Sequence, residues 1–135
     1  MKTSASILID APLETVWQAA LDQFDQISLW SSGVITSQAL DTPTAVPDAP
    51  FAGRLCTTPI GELQETFVSL DRAQHRFTYA LQSDAFPSFM LSARNTWQLR
   101  PFSTTQTELT MTGDTTLNRF PGQLMRLPLR LQSKK

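Results

Sequence analysis

Few side chains in this sequence of 135 residues have the types and spacing to do chemistry. The single histidine, His75, follows Asp71-Arg72-Ala73-Gln74, a predicted turn at a sheet edge. A general base needs reach to a substrate and an orienting partner. A surface turn supplies neither, so His75 reads as structural. The single cysteine, Cys56, alternates with Leu55 on a predicted strand with no evident base beside it, and reads as small buried filler. One histidine and one cysteine cannot furnish the nitrogen and sulfur ligands of a zinc or iron site. No Asp-x-Asp-x-Asp loop suggests calcium, and no glycine-rich loop follows a strand to cradle phosphate. The expectation is no metal, no cofactor and no nucleotide.

Polar residues on otherwise apolar faces are more informative. Asn95 falls between Ala93 and Trp97, and Tyr79 between Phe77 and Leu81. Leaving a buried amide or hydroxyl unpaired costs roughly 1–3 kcal/mol. Each must therefore bond either the protein itself or a ligand. Glu65 joins them only if its strand takes the register of Leu63 and Phe67. Trp17 belongs to a helix stripe and reads as core, whereas Trp30 and Trp97 suit either a core or the aromatic wall of a small-molecule pocket.

The elements that would position these residues follow from periodicity. Residues 5–9 suit a strand, and Asp10-Ala11-Pro12 stops it. Pro12 can open a helix and Glu14 suits its first turn, while Leu13, Val16, Trp17, Ala20, Leu21 and Phe24 form one stripe. A helix over 12–24 is predicted, with a further short turn near 25–30. Strands are predicted over 34–40, 52–58, 62–70, 75–82, 89–100 and 105–115, separated by proline- and glycine-bearing turns. The clearest alternation puts Phe89, Leu91, Ala93, Asn95, Trp97 and Leu99 on one face, with Met90 the apolar exception on the other. After Gly113 the period changes, and Pro121, Leu124, Leu127 and Leu131 predict a C-terminal helix that Pro128 would kink or whose regular start it would delay.

Composition narrows the class. At 41% hydrophobic and 17% charged, the chain can bury a real interior and is of single-domain size. No run approaches the roughly 18 apolar residues of a membrane span, and the three-residue apolar core at the N-terminus is too short for a signal peptide. A lone cysteine suits a reducing cytoplasm. The net charge of -1 gives no field favouring nucleic acid. Its distribution is uneven. Through Asp114 six basic residues face all twelve acids, and beyond it Arg119, Arg126, Arg130, Lys134 and Lys135 meet none. That basic tail reads as a solvated helix end, with contact to an acidic membrane surface the lesser alternative.

The opening Ile7-Leu8-Ile9-Asp10-Ala11-Pro12-Leu13-Glu14-Thr15-Val16-Trp17 resembles the start of the START-like superfamily, also called SRPBCC, in its polyketide cyclase/dehydrase and lipid-transport branch. Trp30, Gly53 opening a strand, the strand from Glu62 to Asp71, and Trp97 with Leu99 extend the resemblance over nearly the whole chain. It implies an α+β helix-grip fold: a bent antiparallel sheet of about seven strands wrapped around a C-terminal helix, with an apolar cavity between. The strand faces lead there independently, since each needs a covering layer. About twenty residues or more is usual for that helix, and only about fifteen follow Pro121, so it is expected to be truncated or the cavity less fully closed. The chain 1–135 is thus expected to be one START-like ligand-binding domain of unstated oligomeric state.

The expected partner is a hydrophobic small molecule, a lipid or an aromatic polyketide-like compound. Its walls would be Phe67, Tyr79, Leu81, Phe89, Leu91, Asn95, Trp97 and Met111, with Leu124 and Leu127 from the helix. A polyketide cyclase/dehydrase-type enzyme, with Tyr79 and Glu65 as acid–base candidates, is the alternative. A partner-protein-binding module is the second. A closed cavity with two convergent polar groups would favour the enzyme, and an apolar one with a single polar group the carrier. A filled interior would favour the module.

Overall fold

The computed structural model describes residues 1–29 and 33–117. Seven strands form one antiparallel sheet: β1 (Lys2–Ile9), β2 (Thr36–Ala39), β3 (Gly53–Thr58), β4 (Gly61–Asp71), β5 (Arg76–Gln82), β6 (Met90–Pro101) and β7 (Thr107–Leu117). Their spatial order is β1-β7-β6-β5-β4-β3-β2, so hairpins build the sheet outward from β7 to β2 while β1 returns to the far edge. The long hairpin loop of prolines at 41–50 carries no regular element, as three prolines in one decade of sequence require. Trp30 and the predicted C-terminal helix, with Leu124 and Leu127, lie outside the described residues.

The helix predicted over 12–24 is only partly regular. One α-helix, α1 (Leu13–Trp17), runs directly into a wider π-type turn at Gln18–Asp22, closed by Gln23 N–H donating to the Gln18 carbonyl at 3.1 Å. A tight 3₁₀ segment, Phe24–Leu29, follows. The apolar stripe is nevertheless buried as its spacing implies: Val16, Trp17, Ala20, Leu21 and Phe24 all pack inward. The stripe lies against the sheet. There it meets Phe67, Phe77, Tyr79, Trp97 and Leu99. Phe24 and Phe67 have ring centroids 4.5 Å apart, and Phe77 stacks on Trp97 at 5.5 Å.

Two bulges bend the sheet. The β4–β5 register shifts between Phe67 and Ser69, and the β6–β7 register between Met90 and Ser92. The extra residues, Val68 and Leu91, are turned outward. This corrects the reading of Leu91 as a wall residue: it is 63% exposed. A bulge inserts one residue and reverses the alternation on one side of it. Met90, expected outside, therefore faces the same side as Ala93 and Asn95.

The β3–β4 hairpin is tightest where Gly53 opens β3. A Cβ there would overlap the Glu65 carbonyl oxygen and approach Thr66 Cα to 2.8 Å. Backbone cannot yield as a flexible side chain can. Gly53→Ala is expected to cost more than about 2 kcal/mol, as overpacking against backbone does, read as a fall in the urea midpoint. A midpoint within error of wild type would contradict the packing described.

Candidate functional site

The concave face of the sheet divides into a filled half and a hollow half. In the filled half α1 and the turns after it lie on the aromatic core. Arg54 and Glu65 sit directly opposite each other on β3 and β4, and both are buried, at 1% and 4% exposure. The Arg54 Nε donates to Glu65 Oε1. Its Nη1 donates to the Phe24 carbonyl at 2.8 Å, and the guanidinium lies 3.7 Å above the Phe24 ring. Phe24 opens the 3₁₀ segment, and this arginine ties its carbonyl to the sheet while its charge rests on a ring face. The pair thereby fastens the helical cover to the sheet.

Cys56 Sγ lies 3.7 Å from Glu65 Oε1 and donates to it. Burial, and then the Glu65 carboxylate, push the Cys56 thiol up to about 11. Burial and the same carboxylate hold the Tyr79 phenol well above its ordinary range. Both groups are therefore protonated at neutral pH. The Tyr79 hydroxyl accepts from Trp97 Nε1 at 3.1 Å and from Asn95 Nδ2 at 3.3 Å. His75 does have an orienting partner, which the sequence did not disclose. Its Nε2 is 2.8 Å from Glu14 Oε1, and its ring stands edge-on to Trp17 at 5.1 Å. It joins α1 to the β4–β5 turn and is not among the residues bounding the hollow.

The hollow half holds a cavity of about 500 Å³. Its described walls come from β1, β4, β5, β6 and β7 and from Phe86 in the β5–β6 connection. Of the wall residues expected from sequence, Leu81, Asn95 and Met111 bound it. Phe67, Tyr79 and Trp97 lie instead in the aromatic core beneath the helical cover. Phe89 is half-buried and, with Leu91, lies away from the described walls. Glu65 does face inward in the register of Leu63 and Phe67, but its carboxylate is held by Arg54.

Sequence reading missed Arg54 and the contribution of β1. The first was readable: counting outward from the two-residue turn Pro59-Ile60 pairs Arg54 with Glu65. The second was not, because no turn links β1 to β7, and Thr3, Ala5 and Ile7 enter the walls only through that distant pairing. Among the described residues no group of three histidine, cysteine or acidic side chains could hold a metal ion. No described helix is long and apolar enough to cross a membrane.

A strongly bent antiparallel sheet, partly covered by helix and partly enclosing an apolar cavity, is the helix-grip class of ligand-binding fold. The chain belongs to the family described as polyketide cyclase / dehydrase and lipid transport, whose profile matches residues 1–132. Solved structures agree on the fold. XoxI from Bacillus cereus is 17% identical with a TM-score of 0.71, over 98% of this chain and 88% of that one. A START superfamily protein from Mycobacterium smegmatis is 12% identical with a TM-score of 0.66, over 98% and 94% of the two chains. An aromatase/cyclase from a Streptomyces species is 12% identical with a TM-score of 0.65, over 88% and 69%. Likeness at such identities establishes fold alone. No curated protein matches the chain in sequence.

Two outcomes are expected. Glu65→Leu leaves a buried guanidinium unpaired and should cost about 3–5 kcal/mol, while Arg54→Met with Glu65→Leu recovers much of it. A double-mutant cycle in urea reads the difference, and additive losses would count against the pairing. The second concerns pH. The folded state holds the Cys56 proton more tightly than the unfolded chain, whose thiol has the ordinary value of 9.0. Its contribution is complete below that value and is lost as pH rises toward about 11. Tyr79 acts in the same direction at higher pH. The stability difference between wild type and Cys56→Ala should therefore shift against wild type by roughly 2–3 kcal/mol over that window. A difference constant with pH would refute it.

Proposed function

We propose that the protein binds an apolar small molecule, a lipid or an aromatic polyketide-like compound, in the hollow half of the sheet, and carries it without altering it. The supporting observation is the cavity of about 500 Å³ beside a core that is otherwise tightly packed. Such volumes suit ligands of drug or lipid size. Burying about 300 Å² of apolar ligand surface yields on the order of 7 kcal/mol before the costs of association. Leu81, Asn95 and Met111 are the contacts we propose from the described walls. Leu124 and Leu127 are proposed from the terminal segment on sequence pattern alone. A cytoplasmic setting is proposed with them, on the single cysteine.

Binding is favoured over the cyclase/dehydrase reading by where the acid–base candidates lie. Glu65 is engaged by Arg54, and the Tyr79 hydroxyl by Trp97 and Asn95. A general acid or base must reach the reacting atoms, and neither residue bounds the hollow.

The purified protein, incubated with a cell lipid extract, should retain a bound species in native mass spectrometry. Ala93 lines the hollow from β6. Ala93→Phe is expected to weaken binding of anilinonaphthalene sulfonate about tenfold or more while leaving the urea midpoint nearly unchanged. No retained species and no loss of probe affinity would sink the proposal.

A further inference from the structure

Resting on the binding reading above, we propose that the cavity selects ligands carrying a hydroxyl or N–H donor, which seats in a polar notch at Gly113. Thr3 on β1 and Asn95 on β6 are each directly opposite Gly113 on β7. All three bound the hollow, so their Cβ directions share its side of the sheet. A Cβ on Gly113 would stand 3.2 Å from Thr3 Oγ1 and 3.4 Å from Asn95 Oδ1. The absent side chain thus leaves a recess beside Asn95 Oδ1, at a distance from which a ligand atom moves readily into hydrogen-bond range. Glycine inside a strand weakens it and often marks a close approach by a ligand or by another backbone.

The polarity of the notch follows from what holds Asn95. The Trp97 indole N–H donates to the Tyr79 hydroxyl at 3.1 Å, and Asn95 Nδ2 donates to the same oxygen at 3.3 Å. With its NH₂ engaged on that side, the amide directs Oδ1 toward Gly113. A carbonyl oxygen only accepts. A ligand ether or ketone set against Asn95 Oδ1 would bring oxygen to oxygen, and a methyl there would leave that amide oxygen without a ligand partner. A hydroxyl or N–H satisfies it. The remaining walls are mostly apolar, Leu63, Leu81, Met90 and Met111 among them, and fit the ligand's body. The class implied is a largely hydrocarbon or aromatic molecule with a donor at its edge.

Hydroxypyrene and methylpyrene differ only by OH in place of CH₃, and their fluorescence reports binding directly. Wild type is expected to bind hydroxypyrene about tenfold more tightly than methylpyrene, as a site built to pair a hydroxyl discriminates. Gly113→Ala fills the notch, and Asn95→Leu removes the acceptor at similar volume. Both should bring the ratio of the two affinities to one or below. Equal binding by wild type, or a preference that survives both substitutions, overturns the notch and leaves cavity binding standing. Failure of both pyrenes to bind wild type overturns the binding reading and this inference together.

Discussion

A sheet with one apolar face must have that face covered along its whole length, and the described cover is too short to do so. Twelve residues of β6 span about 40 Å, whereas the ten residues from Leu13 to Asp22 span about 15 Å as helix. The helical segment seals one end of the concavity with aromatic packing. Toward the other end the walls stand without a filling from the described chain. Among the described residues, no element covers that end of the concavity.

Polar groups are distributed according to the same division. In the filled half they are turned on one another. Arg54 satisfies Glu65 and the Phe24 carbonyl, and Tyr79 is held by its neighbours, so among the described residues no buried side-chain polar atom lacks a partner. A charge pair in such a place is costly to desolvate and adds little net stability over an apolar pair of equal volume. Its value here is directional, because the guanidinium can join a strand, its neighbour strand and a helix end at once. In the hollow half Thr3, Asn95 and Gly113 line a boundary with the vacancy. The Tyr79–Asn95 hydrogen bond is the point where the two regimes meet.

Much of this arrangement was legible before any coordinates. The apolar stripe from Val16 to Phe24 is buried, and the strands fall close to the predicted spans, with β6 running from Met90 to Pro101 against an expected 89–100. The inward position of Asn95, Leu81 and Met111 followed from alternation. Alternation failed at Leu91 and Met90, where a bulge adds a residue and inverts the count. Helical periodicity likewise passed over the π turn at Gln18–Asp22, since the same residues are buried by either winding.

Residue order by itself determined the pattern of apolar faces, the strand and turn succession, and the absence of enough histidine and cysteine for a transition-metal site. These are local properties, set by side-chain type and by neighbours a few positions away. Only the tertiary structure decided that Phe67, Tyr79 and Trp97 fill the interior while Leu81, Asn95 and Met111 face the vacancy. All six share one face of the sheet, and alternation cannot rank residues along it. Their fates part according to where a short helical cover comes to rest, and that is fixed by contacts between segments far apart in the chain.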